Sequence, residues 1–124
     1  MKYLIIGASS GLGRELANKF AEKKKNLVLV SRDERDLKAL KTDLELKHSV
    51  SVEYLALDFS SIEDIEKNLI SNKDITNEID GILFPVGLMF DEDNYQTDHS
   101  KIKKLIYSNY ISISYTIYKL KENL

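Results

Sequence analysis

The sequence predicts an α/β fold in which helices cover both faces of a doubly wound parallel sheet. Short, continuously apolar runs alternate four times with amphipathic helical stripes, which is typical of successive βα units. Strands that are apolar on both faces belong to parallel sheets buried between two layers of helices. The 124 residues, of which 43% are hydrophobic, fit one domain spanning residues 1–124. Right-handed crossovers favour the spatial strand order 3-2-1-4.

The first two βα units occupy the N-terminal part of the chain. Tyr3–Ile6 is an apolar run that ends at Gly7, and Leu27–Val30 is a second apolar run. Apolar residues at helical spacing follow each run and predict a helix that packs on the sheet. They are Leu12, Leu16, Ala17, Phe20 and Ala21 in the first helix, and Leu37, Leu40, Leu44 and Leu46 in the second.

Two further units complete the pattern. Val50–Leu57 and Ile82–Val86 predict the third and fourth strands. Ser60 and Glu63 have the spacing of a capping box at the start of the third helix, whose apolar residues are Ile62, Ile65 and Leu69. Thr97 can cap a long final helix. The predicted sheet-facing stripe of that helix is Ile102, Leu105, Ile106, Asn109, Ile113, Ile117 and Leu120.

Composition excludes several classes of function. The net charge is −2 with acids and bases interspersed, so we expect no nucleic-acid partner. The chain has no cysteine, which excludes disulfides and thiolate metal sites, and we expect no metal. The apolar run after Lys2 ends at Gly7, too early for a signal peptide, and no segment approaches the ~20 apolar residues of a membrane span. We therefore predict a soluble, cytoplasmic protein without a membrane partner.

A glycine-rich turn joins the first strand to the first helix. Its pattern is Gly7-x-x-x-Gly11-x-Gly13. Residues without a Cβ let backbone N–H groups approach a diphosphate, which is favoured by the partial positive charge of the helix N-terminus. The alternative is an ordinary βα loop. We favour a Rossmann-like, nucleotide-binding fold, and the predicted binding residues of the turn are Gly7, Ser9, Ser10, Gly11, Leu12 and Gly13.

The turn Gly-Ala-Ser-Ser-Gly-Leu-Gly resembles the glycine motif of the short-chain dehydrogenase/reductase family. The resemblance extends over the whole chain but only over the N-terminal half of the family's fold. It implies an oxidoreductase that interconverts carbonyls and alcohols with a nicotinamide dinucleotide, present as its cofactor-binding half. The family's catalytic Ser and Tyr-x-x-x-Lys lie on later elements, so we expect a fragment that is inactive alone, and a small-molecule substrate only if a C-terminal half exists.

The end of the second strand distinguishes the two nicotinamide cofactors. A carboxylate there would bind the ribose 2′-hydroxyl of NAD(H), but the sequence has Ser31 followed by Arg32. A guanidinium can bind a 2′-phosphate through charge-assisted hydrogen bonds. We therefore predict NADP(H) rather than NAD(H). The alternative for Arg32 is an ion pair with Asp36 on the helix surface.

The ends of the third and fourth strands supply further candidates. The resemblance implies that Asp58 meets the adenine amino group, with Phe59 beside it; the alternative role of Asp58 is to cap the third helix. The family's Asn-Asn-Ala-Gly segment reads Phe-Pro-Val-Gly here, and only its last residue, Gly87, matches. Gly87 permits close approach of the backbone to the cofactor ribose.

One residue of the final helix matches a supporting catalytic position of the family. This residue is Asn109, and an amide on an apolar stripe is costly to bury without a partner. The alternative is a structural Asn that bonds to backbone. Tyr115 and Lys119 have the spacing of the family's catalytic pair, but we do not assign them that role. They lie on the same helix as Asn109, and the 7 tyrosines and many lysines make one such pair expected by chance.

The fourth strand and the final helix also predict self-association. An apolar strand with an open edge invites pairing with another chain. A second stripe on the final helix, left exposed if the first covers the sheet, comprises Tyr107, Ile111, Tyr115 and Tyr118. We expect a homo-oligomer. Two alternative functions stay open: a non-catalytic NADP(H)-binding or sensing module, and an oligomerisation unit with a vestigial nucleotide site.

Overall fold

The computed structural model describes residues 1–9, 11–86 and 99–123. Four parallel strands form one sheet in the order β3-β2-β1-β4, which confirms the predicted order. The strands are β1 Lys2–Ile6, β2 Asn26–Ser31, β3 Val52–Ala56 and β4 Gly81–Leu83. The chain moves outward from β1 to β3 and then returns to the other side of β1. Ligand clefts form where a parallel sheet reverses its order in this way.

The helices alternate with the strands along the chain. They are α1 Gly11–Glu22, α2 Glu34–His48, α3 Ile62–Asp64 with its π-helical continuation Ile65–Ile70, and the short α4 Lys73–Thr76, which the sequence pattern did not predict. Residues 99–120, called the final helix below, consist of α5 His99–Ile106, a π-helical segment Tyr107–Ile111 and α6 Ser112–Leu120. Within the described ranges, no helix has the length and apolar character needed to cross a bilayer.

The sheet separates two apolar clusters because successive side chains of a strand point to opposite faces. Leu4, Ile6, Val28 and Val30 face the third helix and the final helix. Alternate residues, which include Ile5, Leu27 and Leu29, face α1 and α2. All seven side chains are at most 1% exposed. This arrangement explains why β1 and β2 read as continuous apolar runs in the sequence.

Several boundaries differ from the sequence prediction. The fourth strand ends at Leu83 rather than Val86, because Pro85 lacks an N–H to continue the ladder. The cap of α3 lies one residue later than predicted: the side chain of Ser61, not Ser60, accepts a hydrogen bond from the Asp64 amide. Leu46 is exposed and does not extend the stripe of α2. The predicted cap Thr97 lies outside the described residues.

The face that the final helix buries was predicted only in part: Leu120 is buried and Ile113 packs against the core, but other members of the predicted stripe are exposed. Its buried residues are Ser108, Ser112, Thr116 and Leu120, spaced four apart. The side chains that were expected to cover the sheet include Ile102, Ile106 and Ile117, which are between 37% and 49% exposed. Conversely, three residues of the stripe expected to be exposed, Tyr107, Ile111 and Tyr115, are partly buried. Small hydroxyl side chains, together with Ile113 and Leu120, therefore face the core along this helix.

Candidate functional site

A cleft of about 240 Å³ opens where the carboxyl ends of the four strands meet. Its position is the one that the strand order predicts, since β1 and β4 flank the reversal of the sheet. Six of the predicted binding residues line it: Gly7, Ser9, Ser31, Arg32, Asp58 and Phe59. Residues far apart in sequence thus converge on one site.

Two glycines of the turn are required by the backbone geometry. Gly7 has a φ of +92°, and a Cβ there would lie 2.8 Å from Val86 Cγ1 and 2.9 Å from the carbonyl oxygen of Pro85. A Cβ on Gly13 would lie 1.8 Å from the carbonyl oxygen of Gly7. The lack of a Cβ at Gly13 lets the start of α1 approach the end of β1, and its lack at Gly7 lets the segment after β4 approach the same turn.

The free backbone donors of the turn lie at the start of α1. The amides of Gly7 and Ala8 both donate to the carbonyl oxygen of Val30, so they are occupied by the sheet. The first amides of an α-helix have no acceptor within the helix, and α1 begins at Gly11. The first turn of α1 carries no acidic side chain. These amides therefore offer donors and partial positive charge to an anion.

Ser9 and Ser31 connect the glycine turn to the end of β2. Their hydroxyl oxygens lie 2.6 Å apart and share a hydrogen bond. The next residue, Arg32, is exposed and makes no hydrogen bond or ion pair with the described part of the chain. The anticipated alternative, an ion pair with Asp36, is absent among these residues; the Asp36 amide instead donates to Asp33, the N-cap of α2. The guanidinium of Arg32 is left available at the rim of the cleft.

Asp58 lies in a turn between β3 and α3. One carboxylate oxygen, Oδ1, accepts hydrogen bonds from the amide and the hydroxyl of Ser60, at 2.9 Å and 2.6 Å. Burial raises the pKa of Asp58, but these hydrogen bonds and the positive charges of Lys104 and Arg32 outweigh it, so the pKa lies below 3.8. Capping of α3 is performed by Ser61. Among the described residues, Oδ2 of Asp58 has no hydrogen-bond partner and can accept one from a ligand.

The cleft also contains residues that the sequence analysis missed. Phe84 and Pro85 form an apolar wall with the predicted Phe59, whose ring centroid lies 6.1 Å from that of Phe84. Lys104 and Ser108 reach the cleft from the final helix. The Asp-x-Ser turn signal could have identified Ser60. The final helix gave no such signal, because the helical phase of Lys104 depends on the packing of that helix.

Several predicted residues lie elsewhere. Gly11, Leu12 and Gly13 form the first turn of α1 beside the cleft rather than in its wall, and Leu12 is exposed instead of heading the apolar stripe. Ser10 and Gly87 lie outside the described residues. Asn109 is exposed, so the premise that it sits on a buried stripe was wrong.

The geometry of Tyr115 and Lys119 agrees with leaving this pair unassigned. The Tyr115 hydroxyl donates a hydrogen bond to Glu66 Oε2. This hydrogen bond, together with burial and the negative charge of Glu66, raises the pKa of Tyr115 above 10.0. The Lys119 ammonium lies 5.6 Å from the ring centroid of Tyr115, in a cation–π contact. A tyrosine that acts as general acid and base near neutral pH needs the opposite shift.

Comparison with known proteins agrees with the fold. The family model described as short chain dehydrogenase matches residues 2–123. A very-long-chain 3-oxoacyl-CoA reductase of Candida glabrata is 47% identical over 58 residues, which are 47% of this chain and 16% of that protein. The enzyme of the same name from Podospora anserina is 46% identical over 77 residues, covering 58% of this chain and 23% of that protein.

Solved structures share the architecture. A short-chain dehydrogenase from Sphingobium yanoikuyae in complex with NADPH has a TM-score of 0.82 and 29% identity, with 96% of this chain and 46% of that chain covered. The L-sorbose reductase from Gluconobacter frateurii, complexed with NADPH and L-sorbose, has a TM-score of 0.89 at 22% identity, over 98% and 46% of the two chains. The chain thus spans about half the length of these structures and less than a quarter of the reductases named above.

Proposed function

The chain belongs to the short-chain dehydrogenase/reductase family, and we propose on that premise that its cleft binds NADP(H) for an oxidoreductase reaction between carbonyls and alcohols. The observation that carries the proposal is the placement of the start of α1, whose first amides have no acceptor within the helix, beside a cleft that Arg32 lines from the end of β2. Both features suit anions, and a phosphorylated dinucleotide carries a diphosphate and a ribose phosphate. The NADPH complex of the Sphingobium yanoikuyae relative supports the choice of cofactor.

We assign the parts of the cleft to parts of the cofactor by their chemistry. The first turn of α1 receives the diphosphate, with Gly7 and Gly13 allowing the close approach. Ser31 and Arg32 receive the phosphorylated ribose, and Oδ2 of Asp58 accepts from the adenine amino group beside Phe59. The volume of about 240 Å³ is below the ~300–1,000 Å³ of complete small-molecule sites, which fits the adenosine end rather than the whole dinucleotide.

Binding measurements on Arg32→Ala test the cofactor assignment. Loss of a charge-assisted interaction worth ~1.5–3 kcal/mol should raise the Kd for NADPH about 10- to 100-fold. The Kd for NADH should change less than about twofold, because the 2′-hydroxyl offers no charge to the guanidinium. Arg35→Ala is the matched control, since Arg35 is an exposed arginine on α2 that does not line the cleft. Equal weakening of both nucleotides by Arg32→Ala would contradict the preference for NADP(H).

When bound, the nicotinamide would supply or accept the hydride. The reaction also requires a group beside it that donates or accepts a proton. Tyr115, held by Glu66 with a raised pKa, is unsuited to that role. We propose that this chain contributes cofactor binding, with Asn109 in a supporting position, and that alone it binds NADP(H) without turnover. Carbonyl-dependent NADPH oxidation by the isolated chain would refute this division of labour.

We also propose that the protein is cytoplasmic. We further propose that the chain self-associates through the final helix. Ile102, Ile106, Tyr110 and Ile117 are between 37% and 69% exposed and recur at helical spacing on one side of it. A second copy of this helix offers the same apolar surface in return. Light scattering at micromolar concentration should give at least the mass of a dimer; a monomer throughout would exclude this proposal.

A further inference from the structure

Lys104 reaches the cleft from a different element than the predicted residues. It belongs to α5, at the opposite end of the chain from the glycine turn, and lines the same cleft as Ser9, Arg32 and Asp58. Its side chain is half-buried rather than extended into solvent. The position of Lys104 is therefore set by the packing of the final helix against the carboxyl ends of the strands.

The charges around the cleft do not balance. Arg32 and Lys104 are the cationic side chains of its wall, and Asp58 is the only acidic one among the described lining residues. Both cations are close enough to Asp58 to act on its carboxylate, yet neither forms an ion pair with it within 4.0 Å. In the described part of the chain, Lys104 makes no hydrogen bond or ion pair at all. One positive charge in excess thus stands ready for an anionic group of a ligand.

We propose that Lys104 is a second specificity-determining residue for the phosphorylated adenosine ribose, acting from the final helix on the same cleft as Arg32. This inference rests on the proposed binding of NADP(H). The 2′-phosphate carries up to two negative charges, and one arginine at the rim neutralises only part of that charge. The ammonium of the half-buried Lys104, which lines the same cleft, supplies the remainder, in a site where water screens it less than on an open surface.

Asp58 carries a negative charge that favours a cation in this part of the cleft. Its carboxylate stays ionised at neutral pH and attracts Lys104, while Ser60 occupies Oδ1. Because no direct ion pair forms, the N–H donors of the Lys104 ammonium remain available to a ligand. Asp58 therefore attracts the cation without neutralising it by direct contact.

The test is calorimetric binding of NADPH and NADH to the whole chain, its Lys104→Gln variant and the matched control Lys103→Gln. Lys103 is the adjacent lysine, but it lies outside this cleft, with its ammonium 5.9 Å from the ring centroid of Tyr107. Lys104→Gln should raise the Kd for NADPH by about tenfold and that for NADH by less than about twofold. Lys103→Gln should leave both within about twofold, and Lys104→Arg should retain the preference because it keeps the charge.

The outcomes separate this inference from the function beneath it. If the unaltered chain binds neither nucleotide, the proposed function fails and this inference with it. If the chain binds NADPH and Arg32→Ala weakens that binding selectively, while Lys104→Gln behaves like Lys103→Gln, only the role of Lys104 is overturned. Equal weakening of NADPH and NADH by Lys104→Gln overturns it as well, since the lysine would then act on a part shared by both cofactors. Far-ultraviolet circular dichroism verifies that each variant is folded.

Discussion

Replacing Gly13 by alanine should destabilise the fold although it improves the helix. A Cβ at this position would lie 1.8 Å from the carbonyl oxygen of Gly7 and 2.9 Å from Cα of Ala8. Non-bonded heavy atoms pack at about 3.5 Å, so α1 would have to move away from the end of β1 by roughly 1.7 Å. Both contacting groups are backbone, and no side chain can rotate aside.

The magnitude follows from two opposing contributions. Overpacking costs ~1–3 kcal/mol, and we take the upper end because α1 would withdraw Ala17 and Ala21, both 0% exposed, from the core. Alanine in place of glycine in a helix returns about 1 kcal/mol. The free energy of unfolding should therefore fall by about 2 kcal/mol, which lowers Tm by roughly 8 °C for a chain of this size.

Urea denaturation followed by circular dichroism measures this loss. The control is Gly11→Asn, because Gly11 has no atom within 4 Å of a built Cβ and its φ of +53° is one that asparagine tolerates. Gly11→Asn should cost less than about 1 kcal/mol. A Gly13→Ala variant as stable as the unaltered chain, or more stable, would refute the argument, since helix propensity alone would then decide the outcome.

Three further predictions concern hydroxyl and carboxyl groups. Ser60→Ala removes one hydrogen bond from Oδ1 of Asp58 and should raise the pKa of that carboxyl in a carbon-13 NMR titration. Because the pKa of folded Asp58 lies below 3.8, the contribution of its carboxylate to stability is present above pH 3.8 and is lost as the pH falls through the folded pKa. An unchanged pKa of Asp58 in Ser60→Ala would contradict the role of the Ser60 hydroxyl in lowering it. Glu66→Gln should lower the pKa of Tyr115 towards 10.0. The raised pKa means that the hydrogen bond from Tyr115 to Glu66 stabilises the fold below pH 10.0 and is lost as the pH rises through the folded pKa, so the variant should lose it at a lower pH. An unaltered titration of Tyr115 would exclude the contact. Thr116→Val should raise the free energy of unfolding by about 1 kcal/mol in urea, because the Thr116 hydroxyl is buried without a partner in the described structure; a loss of stability would show that it is satisfied.

The sequence predicted the part of the fold in which local chemistry decides the structure. The runs Tyr3–Ile6 and Leu27–Val30 are apolar on both faces because both faces are buried, and the strand order followed from the handedness of crossovers. Four cleft residues, Gly7, Ser9, Ser31 and Arg32, were found from their places at the ends of strands, which meet at one edge of a parallel sheet, and Asp58 and Phe59 from the family resemblance. Pro85 lies inside the run Ile82–Val86 that predicts the fourth strand, but the early end of β4 depends on which amide the ladder needs.

The final helix shows where such reasoning stops. Four residues of an α-helix turn through about 400°, so positions spaced four apart drift by about 40° at each step and cannot share a face for long. Ser108, Ser112, Thr116 and Leu120 nevertheless form one buried face. The π-helical segment Tyr107–Ile111 reduces the drift between Ser108 and Ser112, because its wider turn rotates less per residue. Ser112, Thr116 and Leu120 lie in α6, where two such steps drift by about 80° and stay within the width of one buried stripe. The predicted stripe included Ile113 and Leu120, which pack on the core, but also exposed isoleucines such as Ile106. The same error of phase hid Lys104 and placed Asn109 on the buried face. The packing of this helix on the sheet, which no local pattern encodes, therefore determines both the wall of the cleft and the charge it presents.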